Sequence, residues 1–268
     1  MDVFTDTPYL GNPVAVVLSA DGLSDERMQL FARWTNLSET TFVLAPRAGG
    51  ADYLVRIFTP TRELPFAGHP TLGTCHAWLE AGGRPGRPDA IVQECQTGLV
   101  TVRPTEAGLA FAAPPQVRSG PVEEPVAEQV ARALNITRAD IVDIAWADNG
   151  PGWVAVLLDS AKAVLAIRPG AVDLDIGVAG PYPDGSPEAL EVRAFSPQVT
   201  SVEDPVTGSL NASLGQWLLG AGRVTAPYVA SQGTVMGRRG RVHVSRDGDG
   251  QVRVGGGTIT CVSGTVEL

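Results

Sequence analysis

Val55-Arg-Ile-Phe-Thr-Pro60 with Pro65-Phe-Ala-Gly-His69, and Val192-Arg-Ala-Phe-Ser-Pro197 with Pro205-Val-Thr-Gly-Ser209, are two versions of one phrase. The first segments lie 137 residues apart and the second 140, so the later copy carries three more residues in its loop. A third match lies upstream, where Val14-Ala-Val16 recurs as Val154-Ala-Val156 and Leu18 matches Leu158, again at 140. Three matches in order at nearly constant spacing indicate an internal duplication. Around them most segments read as short strands: Val14-Ala-Val-Val-Leu18, Tyr53-Leu-Val-Arg-Ile-Phe58, Gly98-Leu-Val-Thr-Val102 and Trp153-Val-Ala-Val-Leu-Leu158 are β-branched and bounded by Gly or Pro. After each repeated Gly comes a nearly all-apolar stretch, 70–81 or 210–221, which reads as a buried helix surrounded by sheet. The expected fold is therefore α/β (α+β): two pseudo-symmetric halves, 1–115 and 116–268, each a curved, mostly antiparallel sheet wrapped around a central helix. A C-terminal strand swapped back to the first half is compatible with these bounds.

Two further helices are expected. Ser24 is placed to cap 25–35, with apolar Met28, Leu30, Phe31 and Trp34, and 126–134 reads as a helix exposed on one side. Composition bounds the function. In 268 residues, 44% are hydrophobic and 18% charged, which supports a sizeable core and excludes disorder. A net charge of −9 and 6% aromatics argue against a nucleic-acid partner. Arg238, Arg239 and Arg241 form the main basic spot and read as a solvated turn. Lys162 is the one lysine, in an ordinary apolar stretch, and is a poor Schiff-base residue. Three cysteines with no CxxC give neither a disulfide framework nor a thiol zinc site. With no basic-plus-apolar leader and no run of 18 apolar residues, the chain is expected to be soluble and cytoplasmic, with no membrane partner.

Candidate chemistry follows from the repeat. Gly68-His69 and Gly208-Ser209 open the two buried helices, and helix N-termini offer unpaired N–H groups and a partial positive charge to anions. Halves facing each other about a pseudo-two-fold would direct both starts at one cleft suited to a small carboxylated substrate. The plainer reading, that these glycines only permit a tight turn, stays open at this point. Glu39, in Asn36-Leu-Ser-Glu-Thr-Thr-Phe42, stands where burial begins and so is a candidate acid or base, or else a capping or surface carboxylate. Asp204, His69 and Ser209 add a carboxylate, an imidazole and a hydroxyl, a proton-transfer set. No Gly-x-Ser-x-Gly elbow, HExxH, GxGxxG or GxxxxGK[ST] occurs, which leaves a site with no metal and no cofactor.

Phe4-Thr5, Gly11-Asn-Pro-Val-Ala-Val16, Asn36-Leu-Ser-Glu-Thr40, Ile57-Phe-Thr-Pro60, Glu63-Leu-Pro-Phe-Ala-Gly-His-Pro70 and Glu203-Asp-Pro-Val-Thr-Gly-Ser209 together resemble the PhzF-like phenazine-biosynthesis proteins, in order along essentially the whole chain. The resemblance implies the diaminopimelate-epimerase fold, a homodimer, no cofactor, and isomerisation of trans-2,3-dihydro-3-hydroxyanthranilate by a glutamate acid/base. It makes that glutamate Glu39, gives His69, Asp204 and Ser209 the remaining catalytic places, and assigns Gly68, Gly208 and Pro70 to substrate binding. Relatives usually carry several residues before Met1-Asp-Val-Phe4, so the start is expected to be truncated and the first strand short and at an edge. Epimerase and racemase relatives of the fold use two opposed cysteines near the paired helix starts. Ala67 and Thr207 stand there in this chain, which disfavours two-thiol racemisation. The alternatives are an epimerase or other proton-transfer enzyme on an amino-acid-like substrate, or a non-catalytic binding member of the fold.

Overall fold

The computed structural model describes residues 1–197 and 203–268. The chain falls into two compact units, 1–112 with 255–268, and 113–254.

In the first unit β1 (Asp2–Val3), β2 (Asn12–Val17), α1 (Asp25–Thr35), β3 (Glu39–Leu44), β4 (Tyr53–Phe58), β5 (Glu63–Leu64), α2 (Gly68–Glu80), β6 (Ile91–Cys95), β7 (Gly98–Thr105) and β8 (Gly108–Ala112) follow one another. β2 runs parallel to β3, β3 antiparallel to β4, and β4 pairs with β5 antiparallel and β6 parallel. The hairpins β6–β7 and β7–β8 complete the sheet. α2 packs against β1, β2, β3, β6 and β8, so the sheet curves around it.

In the second unit β9 (Arg118–Pro121), α3 (Glu124–Leu134), β10 (Asp143–Asp148), β11 (Val154–Leu157), α4 (Ala161–Ala166), β12 (Ile176–Pro181), β13 (Leu190–Phe195), β14 (Glu203–Asp204), α5 (Gly208–Gly220), β15 (Tyr228–Gln232), β16 (Gly240–Arg246) and the part of β17 (Val252–Gly256) up to Val254 repeat the plan. β11 is parallel to β12, β12 antiparallel to β13, and β13 pairs with β14 antiparallel and β15 parallel. The correspondence is strand for strand, which is the duplication read from the sequence. Both central helices are buried nearly all round, with Leu72 and Cys75 in α2 and Leu210, Ala212 and Leu214 in α5 at most 1% exposed. A helix so encircled needs no polar face.

The repeated Val-Arg-x-Phe phrase has a structural meaning. Arg56 grips Glu63 through Nε (2.8 Å) and Nη2 (2.7 Å), clasping β5 to β4. Arg193 grips Glu203 in the same two-pronged way at 2.9 and 2.7 Å, clasping β14 to β13. Each guanidinium also lies over the Phe two residues on, at 5.1 Å from Phe58 and 4.8 Å from Phe195. These clasps hold the short strand that leads into each central helix.

Two expectations need correction. β1 is short but is not an edge: β18 (Thr258–Ile259), from the end of the chain, pairs with it on one side and β2 on the other. Arg241 belongs to β16 rather than a solvated turn, and its Nε lies 2.7 Å from Glu188. By contrast α1 forms over the expected residues with Ser24 as its cap, Ser24 Oγ accepting from the Arg27 N–H, and it buries Met28 and Ala32 while Leu30 (59% exposed) and Trp34 (77%) face outward.

Candidate active site

Glu39 is delivered by the end of α1. Asn36 takes a left-handed conformation (φ 53°) with its N–H on Ala32 O, which stops the helix and turns the chain into β3, whose first residue is Glu39. His69 is the second residue of α2. Its Nε2 lies 3.3 Å from Glu39 Oε2, with side chains 6% and 16% exposed. Asn12 Nδ2 lies 3.3 Å from the other ring nitrogen, and the ring also bonds the Pro13 carbonyl. Burial pushes the His69 imidazole down to about 3, so it meets Glu39 as a neutral ring. Gly68 and Pro70 flank it. The cap residue Ala67 has no side chain that could bond the first N–H groups, and Pro70 has no N–H to satisfy.

In the second unit Asp204 ends β14, and Gly208 and Ser209 open α5. Thr207 Oγ1 donates to Asp204 Oδ2 at 2.5 Å. Ser209 Oγ accepts from the indole Nε1 of buried Trp153 at 3.2 Å, and Asn149 Nδ2 donates to the Ser209 carbonyl at 2.9 Å. Because an indole nitrogen only donates, the Ser209 hydroxyl keeps its own hydrogen for another acceptor. The structure thus brings Glu39 and His69 together in one unit, while in the other Asp204 is tied to Thr207 and Ser209 to Trp153 and Asn149 on either side of the start of α5.

Cys75 lies inside α2, where burial pushes its thiol up to about 12, far from a working thiolate at neutral pH. A cavity of about 440 Å³ in the first unit is lined by Asp25, Arg56, Glu63, Glu94 and Cys95 among others, and none of these was read as a site residue. Among the described residues no helix is long and apolar enough to cross a membrane. Asn12, Trp153, Thr207 and Gln232 were not read as site residues from the sequence. Asn12 lay in a quoted motif, whereas Gln232 sits in a strand without any.

The phenazine biosynthesis-like protein family, PhzC–PhzF, matches residues 1–264. The chain belongs to this family. The PhzC–PhzF chain is 36% identical to antisense-enhancing sequence 1 of Schizosaccharomyces pombe, over 98% of this chain and 96% of that one. It is 34% identical to the trans-2,3-dihydro-3-hydroxyanthranilate isomerase of Pseudomonas fluorescens, over 100% and 98%. The Bacillus anthracis PhzF-family crystal structure superposes with a TM-score of 0.79 at 25% identity, covering 95% and 93%. A hydroxyproline epimerase from Agrobacterium vitis shares the fold at a TM-score of 0.50 and 13% identity, covering 88% and 78%. The fold is epimerase-like, and this PhzC–PhzF protein is an isomerase.

Proposed function

We propose that this isomerase moves a proton between two carbons of a small carboxylated substrate, with Glu39 as the acid/base. The observation that carries the reading is the Glu39–His69 pair, a carboxylate and a neutral imidazole 3.3 Å apart in mostly buried surroundings. Glu39 takes a carbon-bound proton, the electron pair is delocalised into the substrate, and Glu39 returns the proton at another carbon. Atoms and charge balance within the substrate and one carboxyl group, so the step asks for no cofactor. His69, Asp204 and Ser209 orient the substrate, Ser209 as a donor, while Gly68, Pro70 and Gly208 bring the helix starts close to its carboxylate. The internal repeat in the sequence supports both half-sites serving one substrate. The isomerase activity for which the Pseudomonas relative is named makes trans-2,3-dihydro-3-hydroxyanthranilate the first substrate to try, and we take the working form to be a cytoplasmic homodimer.

In D2O the wild-type protein is expected to place deuterium at the accepting carbon of that substrate. Glu39→Gln should bind it with unchanged affinity and exchange nothing. Exchange at the wild-type rate in the variant would remove Glu39 from its role. Chiral chromatography of the product separates isomerisation from epimerisation.

A further inference from the structure

We propose that Gln232 is a positioning residue of the second unit's half-site, holding Asp204 through Thr207 as a hydrogen-bond acceptor in one fixed orientation. The inference rests on the reading of Asp204 as a site residue. Gln232 ends β15 and is fully buried. Two main-chain partners with unambiguous roles fix its amide. The Thr207 N–H can only donate, and does so to Oε1 at 3.0 Å, while the Asp204 carbonyl can only accept, from Nε2 at 3.1 Å. Asn211 Nδ2 donates to the same Oε1 at 2.8 Å, in agreement.

The amide nitrogen also donates to Thr207 Oγ1 at 3.0 Å. A hydroxyl has one hydrogen, so Thr207 must direct its own at Asp204 Oδ2. The chain from Gln232 through Thr207 to Asp204 therefore runs one way and ends on an accepting carboxylate oxygen. Thr207 is the N-cap of α5, where a threonine ordinarily bonds an N–H of the first turn. It makes no such bond here, its hydroxyl being turned to Asp204. The first unit, built on the same plan, lacks the device. Its cap is Ala67, and the register that pairs Leu54 with Glu94 puts Cys95 where the second unit has Gln232 opposite Val192. The first unit does fasten its helix start with a buried glutamine, Gln93 Nε2 donating to Thr71 Oγ1 at 3.0 Å, but only in the second unit does the chain of bonds run on to a carboxylate.

The test uses Gln232→Glu, which keeps the shape but cannot donate while ionised, and Gln232→Leu, which can never donate. Asp204 is the carboxylate bonded into this network. Glu191 on β13 and Arg241 on β16 lie opposite Ser231, one residue away and on the other face of the sheet. With trans-2,3-dihydro-3-hydroxyanthranilate, the kcat of Gln232→Glu relative to wild type at the same pH should fall about tenfold or more at pH 8 with KM within about threefold, and recover toward pH 5 because burial raises the new carboxyl above its ordinary range and it protonates. Gln232→Leu should stay low throughout. Wild-type kcat in both variants at both pH values overturns the proposal. Asp204→Asn is measured alongside: if it is impaired while both Gln232 variants are not, only the positioning role fails, and if it too is unimpaired, the reading of Asp204 fails. Without substrate, the Thr207 hydroxyl proton should appear as a slowly exchanging NMR signal in the wild-type protein and be lost in Gln232→Leu. Exchange at the bulk hydroxyl rate in the wild type refutes the chain outright.

Discussion

The duplicated Arg–Glu clasp makes an internally controlled experiment, because the same two-pronged contact is built in two different environments. In the second unit the Arg193 and Glu203 side chains are 3% and 11% exposed, and Arg193 Nη1 also donates to the Val164 and Ile167 carbonyls at 3.2 and 2.8 Å. In the first, Arg56 and Glu63 are 19% and 20% exposed, and the extra partner, Asp25, is 74% exposed. Arg193→Met takes the counter-charge from a buried carboxylate, which costs about 3–5 kcal/mol, and deprives two carbonyls at the end of α4 of a donor. Arg56→Met leaves its carboxylates within reach of water and should cost about 1 kcal/mol. Urea unfolding followed by tryptophan fluorescence reads both. The Arg193 variant should lose at least about 3 kcal/mol, a large part of the 5–15 kcal/mol typical of a folded protein. Arg193→Met/Glu203→Met should recover much of it, since a buried ion pair replaced whole by apolar side chains is close to neutral. Equal losses for Arg193→Met and Arg56→Met, or a double variant no better than the single, would refute the argument from burial.

Three other outcomes follow from the same geometry. A Cβ on Gly180 would stand 2.4 Å from the Ser160 carbonyl, so Gly180→Ala should destabilise by several kcal/mol, whereas Gly220→Ala, with open space around it in α5, should be neutral or gain about 0.5–1 kcal/mol in the same urea assay. His69 holds a folded-state value near 3, below its unfolded 6.5, so between those values the unfolded chain binds the extra proton. Its contribution is thus complete above about pH 6.5 and drains as pH falls, at up to about 1.4 kcal/mol per unit, and His69→Asn should flatten the acid limb of stability against pH by that amount. Identical limbs would contradict it. Iodoacetamide at pH 8 should leave Cys75 unmodified by mass spectrometry while the wild-type fold persists, and should label partly exposed Cys261.

The fold was legible because duplication writes each constraint twice. Val55-Arg-Ile-Phe and Val192-Arg-Ala-Phe mark the strands, and the Gly before each apolar stretch marks the helix start where the chain must turn tightly against the sheet. Within the candidate site, Glu39, His69, Asp204 and Ser209 could be named because they stand in short motifs beside those landmarks. Gln232 could not, since its partners Thr207 and Asn211 are some two dozen residues away and meet it only when β15 pairs alongside β13. The outward turn of Trp34 was hidden for a similar reason: apolar residues at 28, 30, 31 and 34 say that the helix is partly buried, but only the strands beneath decide that Met28 is covered and Leu30 and Trp34 are not.

The two halves have diverged in the residue that precedes each helix, and that divergence is what favours the proposed proton shift over symmetric racemisation. A racemase needs two matched acid/base groups on opposite faces of one carbon, so its halves must keep equivalent groups at equivalent places. Here the places hold Ala67 and Thr207, the first unable to transfer a proton and the second committed to Asp204. The strongest proton-transfer pair, Glu39 with His69, lies in one unit only, and the register puts Ile176 where the second unit would need its own Glu39. One carboxyl group acting alone can return a proton to the face from which it took it, but to a different atom. That is what the proposed proton shift asks of Glu39, and Glu39→Gln is the variant that decides it.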